Sequence, residues 1–185
     1  LVELSGGSDE LGKDVALCTD SDGKYVGMQF FSKKTVYLYD ITAQAFLTSF
    51  VYEGNRRCYF SPKGSFLVAE PSVLHEETLI YNTKNAELHS LNGYRISFSD
   101  SEEMFLMQKD VTDANRYSVC SICLVRTSDF SIINEKLYEV ANGRNDNLKN
   151  AISPSGNMFA RYSSTGFSLY DSKNYDSVLA VSGIS

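Results

Sequence analysis

The sequence predicts an all-β protein of about four repeated units, each a four-stranded antiparallel sheet, and three observations predict it. Third strands end in Tyr39-Asp40, Tyr81-Asn82, Val125-Arg126 and Tyr170-Asp171, at spacings of 42, 44 and 45 residues. Turn glycines keep the same step: Gly23 to Gly64 is 41 residues, and Gly64 to Gly156 is 92, two steps of 46. The composition suits strands, with 12 Tyr and 11 Phe among 185 residues, because aromatic and β-branched side chains pack well on a pleated surface. Few segments carry the 3.6-residue apolar period of a helix.

Each unit is read from the same cues in order. The opening residues 1–14, with Gly6-Gly7 and mixed charge, read as a linker or edge strand. Unit one (15–53) runs through Val15–Cys18, the turn Asp20-Ser-Asp-Gly23, Lys24–Phe31, Thr35–Asp40 and Ala45–Phe50. Unit two (54–92) begins with an apolar run into Ser61-Pro62-Lys63-Gly64, where Ser, Pro and Gly occupy favourable positions of a type I turn. It continues through Phe66–Ala69, Leu79–Asn82 and Ala86–Leu91. Unit three (93–140) has Tyr94–Phe98, a turn at Ser99-Asp-Ser-Glu102, Met104–Met107, Val119–Val125 and Phe130–Ile133. Unit four (141–185) starts near Asn150, turns at Ser153-Pro-Ser-Gly156, and continues through Met158–Arg161, Gly166–Asp171 and Ser177–Val181.

A four-strand repeat of this period is the mark of β-propeller blades. The turn at Ser61–Gly64 is then a hinge between a blade's inner and second strands. Blade three departs from the pattern. It lacks the turn glycine, and Gln108–Ser118 reads as a polar loop between its second and third strands. A second polar run, Asn142–Asn150, separates blades three and four, and both stretches read as long surface loops, where function is most easily carried. The start at Leu1 and the tail Ser182–Ser185 look cut mid-architecture, so the blades are expected to be part of a larger ring.

From Val15 to Val181 the repeats resemble degenerate WD40-like β-propellers. There is no Gly-His before the inner strands and no Trp; only Tyr39-Asp40, Tyr81-Asn82 and Tyr170-Asp171 keep an aromatic-acid-like ending. Phe60-Ser61-Pro62 with Leu67-Val68-Ala69 and Pro71, and Met158–Arg161 with Phe167–Asp171, are similar to the propellers of translation initiation factor 2A and the b subunit of initiation factor 3. That resemblance implies a cytoplasmic protein that touches the small ribosomal subunit or other initiation factors.

Bulk properties narrow the classes further. Seventeen basic and 23 acidic residues give a net charge of −6, which argues against phosphate-backbone binding through the whole surface and does not support RNA contact. No apolar run approaches the roughly 20 residues that span a bilayer, and no secretory leader pattern opens the chain. No Asn-x-Ser/Thr sequon is present, and four cysteines do not make a disulfide scaffold.

Motifs for chemistry are weak. Cys120-Ser-Ile-Cys123 matches C-x-x-C, but it lies inside a strand, where residues three apart point to opposite faces. Cys18 and Cys58 sit on inner strands, and His75 and His89 lack metal spacing, so all four thiols read as small buried hydrophobes and no metal or cofactor is expected. No Ser or Cys stands beside a base in a nucleophile motif. Glu76-Glu77 and Glu102-Glu103 read as solvated charge.

The candidate partner-binding residues are basic. Arg56 and Arg57 are placed in a loop joining one blade to the next, and Arg144 and Lys149 in the equivalent loop two blades later. Loops of that class share one propeller face, so the four form a modest basic zone. Ordinary solvated charge, interspersed with Glu53, Glu139 and Asp146, is the competing account, and no aromatic–basic interleaving marks a stacking platform. The expected function is a non-enzymatic scaffold that binds protein partners through its loops, including ribosomal or initiation-factor proteins, with no membrane association. The alternative is the substrate-gating propeller of a serine hydrolase whose catalytic domain lies outside this chain; a lectin-like propeller has no repeated binding residues to support it.

Overall fold

Sixteen strands in four sheets account for the regular elements of a computed structural model that describes residues 14–72, 76–112, 118–139, 149–163 and 166–182. The first sheet contains β1 (Val15–Thr19), β2 (Tyr25–Phe30), β3 (Thr35–Asp40) and β4 (Ala45–Val51). The second contains β5 (Arg56–Phe60), β6 (Phe66–Pro71), β7 (Thr78–Asn82) and β8 (Glu87–Leu91). The third contains β9 (Tyr94–Phe98), β10 (Met104–Thr112), β11 (Ser118–Arg126) and β12 (Ile132–Glu139). The fourth contains β13 (Lys149–Ile152), β14 (Met158–Ser163), β15 (Gly166–Asp171) and β16 (Ser177–Ser182). Every sheet follows sequence order, so each is a blade-like meander. The opening residues 1–13, read as a linker or edge, lie outside the described residues.

The chain divides into two compact units, Leu1–Val73 with Ile80–Leu88, and Leu74–Leu79 with His89–Ser185. In the first, the β1–β4 sheet buries Val36, Leu38 and Phe50, and β6 buries Leu67, Val68 and Ala69. In the second, Leu106, Ile122, Leu124, Phe159 and Tyr175 form one core cluster, with Met104, Tyr138, Ile152 and Tyr170 packed against it.

One turn is built four times between the first and second strands of the sheets. In each, the N–H of the fourth residue donates to the first residue's carbonyl: Gly23 to Asp20 at 3.3 Å, Gly64 to Ser61 at 2.9 Å, Glu102 to Ser99 at 3.0 Å and Gly156 to Ser153 at 2.8 Å. The fourth residue has positive φ throughout, 66°, 73°, 59° and 74°. In three turns the first residue's side-chain oxygen accepts the N–H that opens the next strand: Tyr25 N–H to Asp20, Phe66 N–H to Ser61 and Met158 N–H to Ser153. Blade three therefore keeps the turn without its glycine, and Glu102 takes a backbone conformation that costs a non-glycine residue about 1–2 kcal/mol.

A second turn repeats between the third and fourth strands. Asp40, Asn82 and Asp171 each accept a backbone N–H two or three residues on, from Ala43, Lys84 and Lys173. The acidic ending of the third strand thus works as an Asx cap for the turn that follows. Gln44, Ala86, Phe130 and Tyr175 then occupy the left-handed position in all four copies.

Blade three corrects the sequence reading in one place. Of the stretch Gln108–Ser118, residues 108–112 and Ser118 are strand, not loop: β10 extends to Thr112 and β11 begins at Ser118, paired from Met104↔Arg126 to Thr112↔Ser118, while 113–117 lie outside the described residues. Polar residues are tolerated there because their groups are used. Gln108 is buried, its amide N–H donating to the Tyr94 hydroxyl at 3.0 Å and its oxygen accepting from Asn150 at 3.1 Å. The equivalent position in blade one, Gln29, donates to the Tyr52 hydroxyl and the Arg56 carbonyl, both at 2.9 Å. An unsatisfied amide at either place would cost roughly 1–3 kcal/mol. Most of the polar run Asn142–Asn150 lies outside the described residues.

Candidate functional site

Two of the four predicted basic residues can be placed in full, and they have different fates. Arg56 and Arg57 open β5 instead of lying in a loop. Arg56 is buried, and its guanidinium donates to the carbonyls of Glu53 at 3.0 Å and Ala69 at 3.1 Å. It therefore ties the approach to β5 onto β6, a structural use. Neighbouring strand residues point to opposite faces, and Arg57 is exposed, with its guanidinium 5.6 Å from the Tyr59 ring centroid. Lys149 opens β13, and its side chain lies outside the described residues, as does Arg144. The proposed zone is thus not assembled by the residues that can be placed.

Positive charge and aromatic faces instead meet along β12, β14 and β15. The Arg161 guanidinium sits 4.1 Å from the Tyr138 ring centroid. The Lys136 ammonium lies 5.9 Å from the rings of both Tyr138 and Tyr170 and donates to the Tyr175 carbonyl at 2.9 Å. Tyr138 and Tyr170 meet edge to face at 5.8 Å. Strand alternation explains the arrangement: Asn134, Lys136 and Tyr138 share one face of β12, and that face meets β14, β15 and the turn after β15. Asn134 completes the seam by donating to the Lys173 carbonyl at 2.7 Å. Burial pushes the Tyr138 phenol above its usual range, with Tyr170 adding to the rise and Arg161 opposing it. Lys136 is exposed, so the seam delivers an ammonium to the surface against two aromatic rings.

This is the aromatic–basic grouping that the sequence does not display as a run. Arg161 and Tyr170 lie more than twenty residues beyond Tyr138 in the chain; the local sign is the i, i+2 pair Lys136-x-Tyr138 on one strand face. A charged group over a ring face is worth about 0.5–1 kcal/mol when exposed and more when desolvated.

The remaining candidates are used structurally. Cys120 and Cys123 both lie in β11 and are fully buried, and no cluster of three or more metal-ligating side chains occurs among the described residues. The His89 ring packs on Phe130 with centroids 4.2 Å apart. The Ser121 hydroxyl and then the Lys109 ammonium hold the Glu135 carboxyl below its usual range. No helix among the described residues is long and apolar enough to cross a membrane.

Solved structures share this architecture. A eukaryotic initiation factor is similar at a TM-score of 0.64 and 16% identity, over 91% of this chain and 44% of that chain. The fold is that of a β-propeller. KlHsv2 with loop 6CD replaced by a Gly-Ser linker gives 0.59 and 13% over 85% of this chain and 49% of that one. Kuenenia stuttgartiensis hydrazine synthase gives 0.57 and 11% over 85% and 50%. This chain spans about half the length of these propellers. No family model matches the sequence, and no curated protein does.

Proposed function

We propose that this propeller is a non-catalytic scaffold of cytoplasmic translation initiation that binds ribosomal or initiation-factor proteins. The observation that carries the site is Lys136, exposed and flanked by Tyr138, Tyr170 and Arg161. The exposed ammonium is held in place by the Tyr175 carbonyl and keeps further N–H donors for a carboxylate. Acidic side chains of a protein partner are the matching chemistry, and on a chain of net charge −6 such a patch also orients the approach. The translation assignment rests on the Phe60-Ser61-Pro62 and Phe167–Asp171 textures and on likeness in fold to a eukaryotic initiation factor.

The test is co-sedimentation of tagged chain with small ribosomal subunits at low and high salt. Ribosomal or initiation-factor proteins are expected to travel with the chain at low salt, and Lys136→Glu is expected to weaken that association roughly tenfold, equivalent to about 1.4 kcal/mol. Absence of those proteins from the low-salt complex overturns the translation assignment; unchanged binding by Lys136→Glu overturns the site.

A further inference from the structure

Register places Arg161 in a polar row across the fourth sheet. Asn150 pairs with it from β13 and Ser168 from β15, and Ala180 of the edge strand β16 pairs with Ser168. The row faces β12. The Arg161 guanidinium lies 4.1 Å from the Tyr138 ring centroid. Tyr170, two residues beyond Ser168 on the same side of β15, meets Tyr138 at 5.8 Å. Lys136 enters from the third sheet, its ammonium 5.9 Å from both of those rings. Both cations thus lie against one phenol, with a serine hydroxyl beside Arg161 in register.

Hydrogen-bonding capacity goes unused there. Arg161 is half-buried, and its guanidinium makes no hydrogen bond or ion pair among the described residues. The Tyr138 hydroxyl is buried without a partner among them, and burial raises its pKa, so the phenol keeps a proton to donate. Ser168 is half-buried, and its hydroxyl has no hydrogen bond among the described residues. Lys136 spends one N–H on the Tyr175 carbonyl and keeps the others. The Asn150 Oδ1 is also buried without a partner. As an acceptor on the β13 side of Arg161, it suits the guanidinium and leaves the anion to the donors on the β15 side. Buried polar groups are paired in nearly all folded proteins, and a guanidinium with its fork uncommitted fits an oxyanion in bidentate fashion.

We infer that Arg161, Ser168, Lys136 and Tyr138 form a recognition site for a phosphorylated side chain of a protein partner. Arg161 takes two phosphate oxygens side by side, and Ser168, Lys136 and Tyr138 supply the remaining donors. Charge selects phosphate over carboxylate. A phosphate monoester carries about −1.5 to −2 at pH 7 with three acceptor oxygens, which matches both cations, whereas a carboxylate brings a single charge. The net charge of −6 disfavours a polyanionic chain or an anionic membrane, but it spares one phosphate held at one place. Ala180, exposed and small at the outer end of the row, leaves the approach open. The inference deepens the scaffold reading and rests on its contact seam.

Fluorescence anisotropy tests it on the intact protein, with a labelled peptide of Ala and Gly around one phosphoserine and the same peptide carrying Ser or Glu there. The phosphopeptide is expected to bind roughly tenfold or more tightly than either, and inorganic phosphate is expected to displace it. Arg161→Lys keeps the charge and removes the fork, so it is expected to weaken phosphopeptide binding about tenfold. Ser168→Ala is expected to weaken it about threefold; thermal melts confirm that both variants fold. Equal binding of the Glu peptide overturns the inference and leaves the carboxylate reading of Lys136 standing. Unchanged phosphopeptide affinity in both variants overturns it too, as does the absence of phosphopeptide binding. Binding to phosphatidylcholine vesicles doped with a phosphoinositide, without binding to the phosphopeptide, overturns it in favour of a lipid headgroup. None of these results depends on ribosomal subunits, so the translation assignment fails or survives separately.

Discussion

The Tyr175 hydroxyl donates to the Ile122 carbonyl, 3.2 Å away and 53 residues earlier in the chain. It lies at the same distance from the Asn134 carbonyl, so one phenol reaches two strands of the third sheet. The residue sits in the turn after β15 at φ 59°, a conformation that disfavours a large side chain, yet it is buried and packs on Phe159 at 5.0 Å. Anchoring of the side chain offsets the backbone cost. Tyr175→Phe is expected to lose about 1 kcal/mol of unfolding free energy, the net worth of the hydrogen bond. Tyr175→Ala is expected to lose about 3–5 kcal/mol, through the cavity. Urea denaturation measures both; equal losses would show that the packing contributes nothing beyond the hydroxyl.

Gly23 and Gly64 hold the same turn position and predict different costs. An added Cβ at Gly23 meets nothing within 4 Å, whereas at Gly64 it would lie 2.7 Å from the Asp20 Cβ. Gly23→Ala is therefore expected to cost only the backbone strain, about 1 kcal/mol. Gly64→Ala is expected to cost at least about 1 kcal/mol more, because the turn of the preceding blade must shift as well. Thermal or urea unfolding of the two variants decides it, and indistinguishable values would sink the steric part of the argument.

The repeat was legible because its cues are local. Gly23, Gly64 and Gly156 mark turns that need positive φ, and Asp40, Asn82 and Asp171 cap turns a few residues away, so both recur in sequence at the blade period. What stayed hidden depends on pairing between distant strands. Glu102 keeps a glycine turn because the hydrogen-bond frame around it is intact. Gln108 reads as loop until Tyr94 and Asn150 are seen to satisfy its amide. Arg56 looks like surface charge until β6 brings the Ala69 carbonyl to its guanidinium. The Lys136 and Arg161 seam is invisible for the same reason: its two cations come from different sheets.

Three blades carry a hydroxyl just after the third strand. Thr83 donates to the Gly64 carbonyl at 2.9 Å, Thr127 to the Glu102 carbonyl at 2.6 Å and Ser172 to the Gly156 carbonyl at 2.5 Å. Each staple joins the two repeated turns of one blade. Blade one has Ile41 there, 45% exposed, although its backbone N–H makes the equivalent bond to the Lys24 carbonyl at 2.8 Å. Ile41→Thr is expected to add a hydrogen bond to the Gly23 carbonyl and raise stability by about 0.5–1 kcal/mol. No gain in the urea midpoint would mean that blade one holds its turns in a different way.

Burial raises three thiols above the ordinary value of 9.0: Cys18 to about 11, Cys58 to about 12 and Cys123 to about 11. The unfolded chain releases these protons from about pH 8.5 to 9, while the folded chain still holds them. Below that range both states are protonated and the stabilisation is fully present; as pH rises towards 11 to 12 it is lost, because deprotonation favours the unfolded state. The melting temperature is thus expected to be insensitive to these thiols between pH 7 and 8 and to decline from about pH 8.5, ahead of most tyrosine ionisation. Cys58→Ala is expected to make that decline shallower. Because the thiolate is the nucleophile, iodoacetamide at pH 8 is expected to label the folded chain at least tenfold more slowly than the chain in urea. Rapid labelling of Cys58 in the folded chain would show that its thiol is not held protonated by burial.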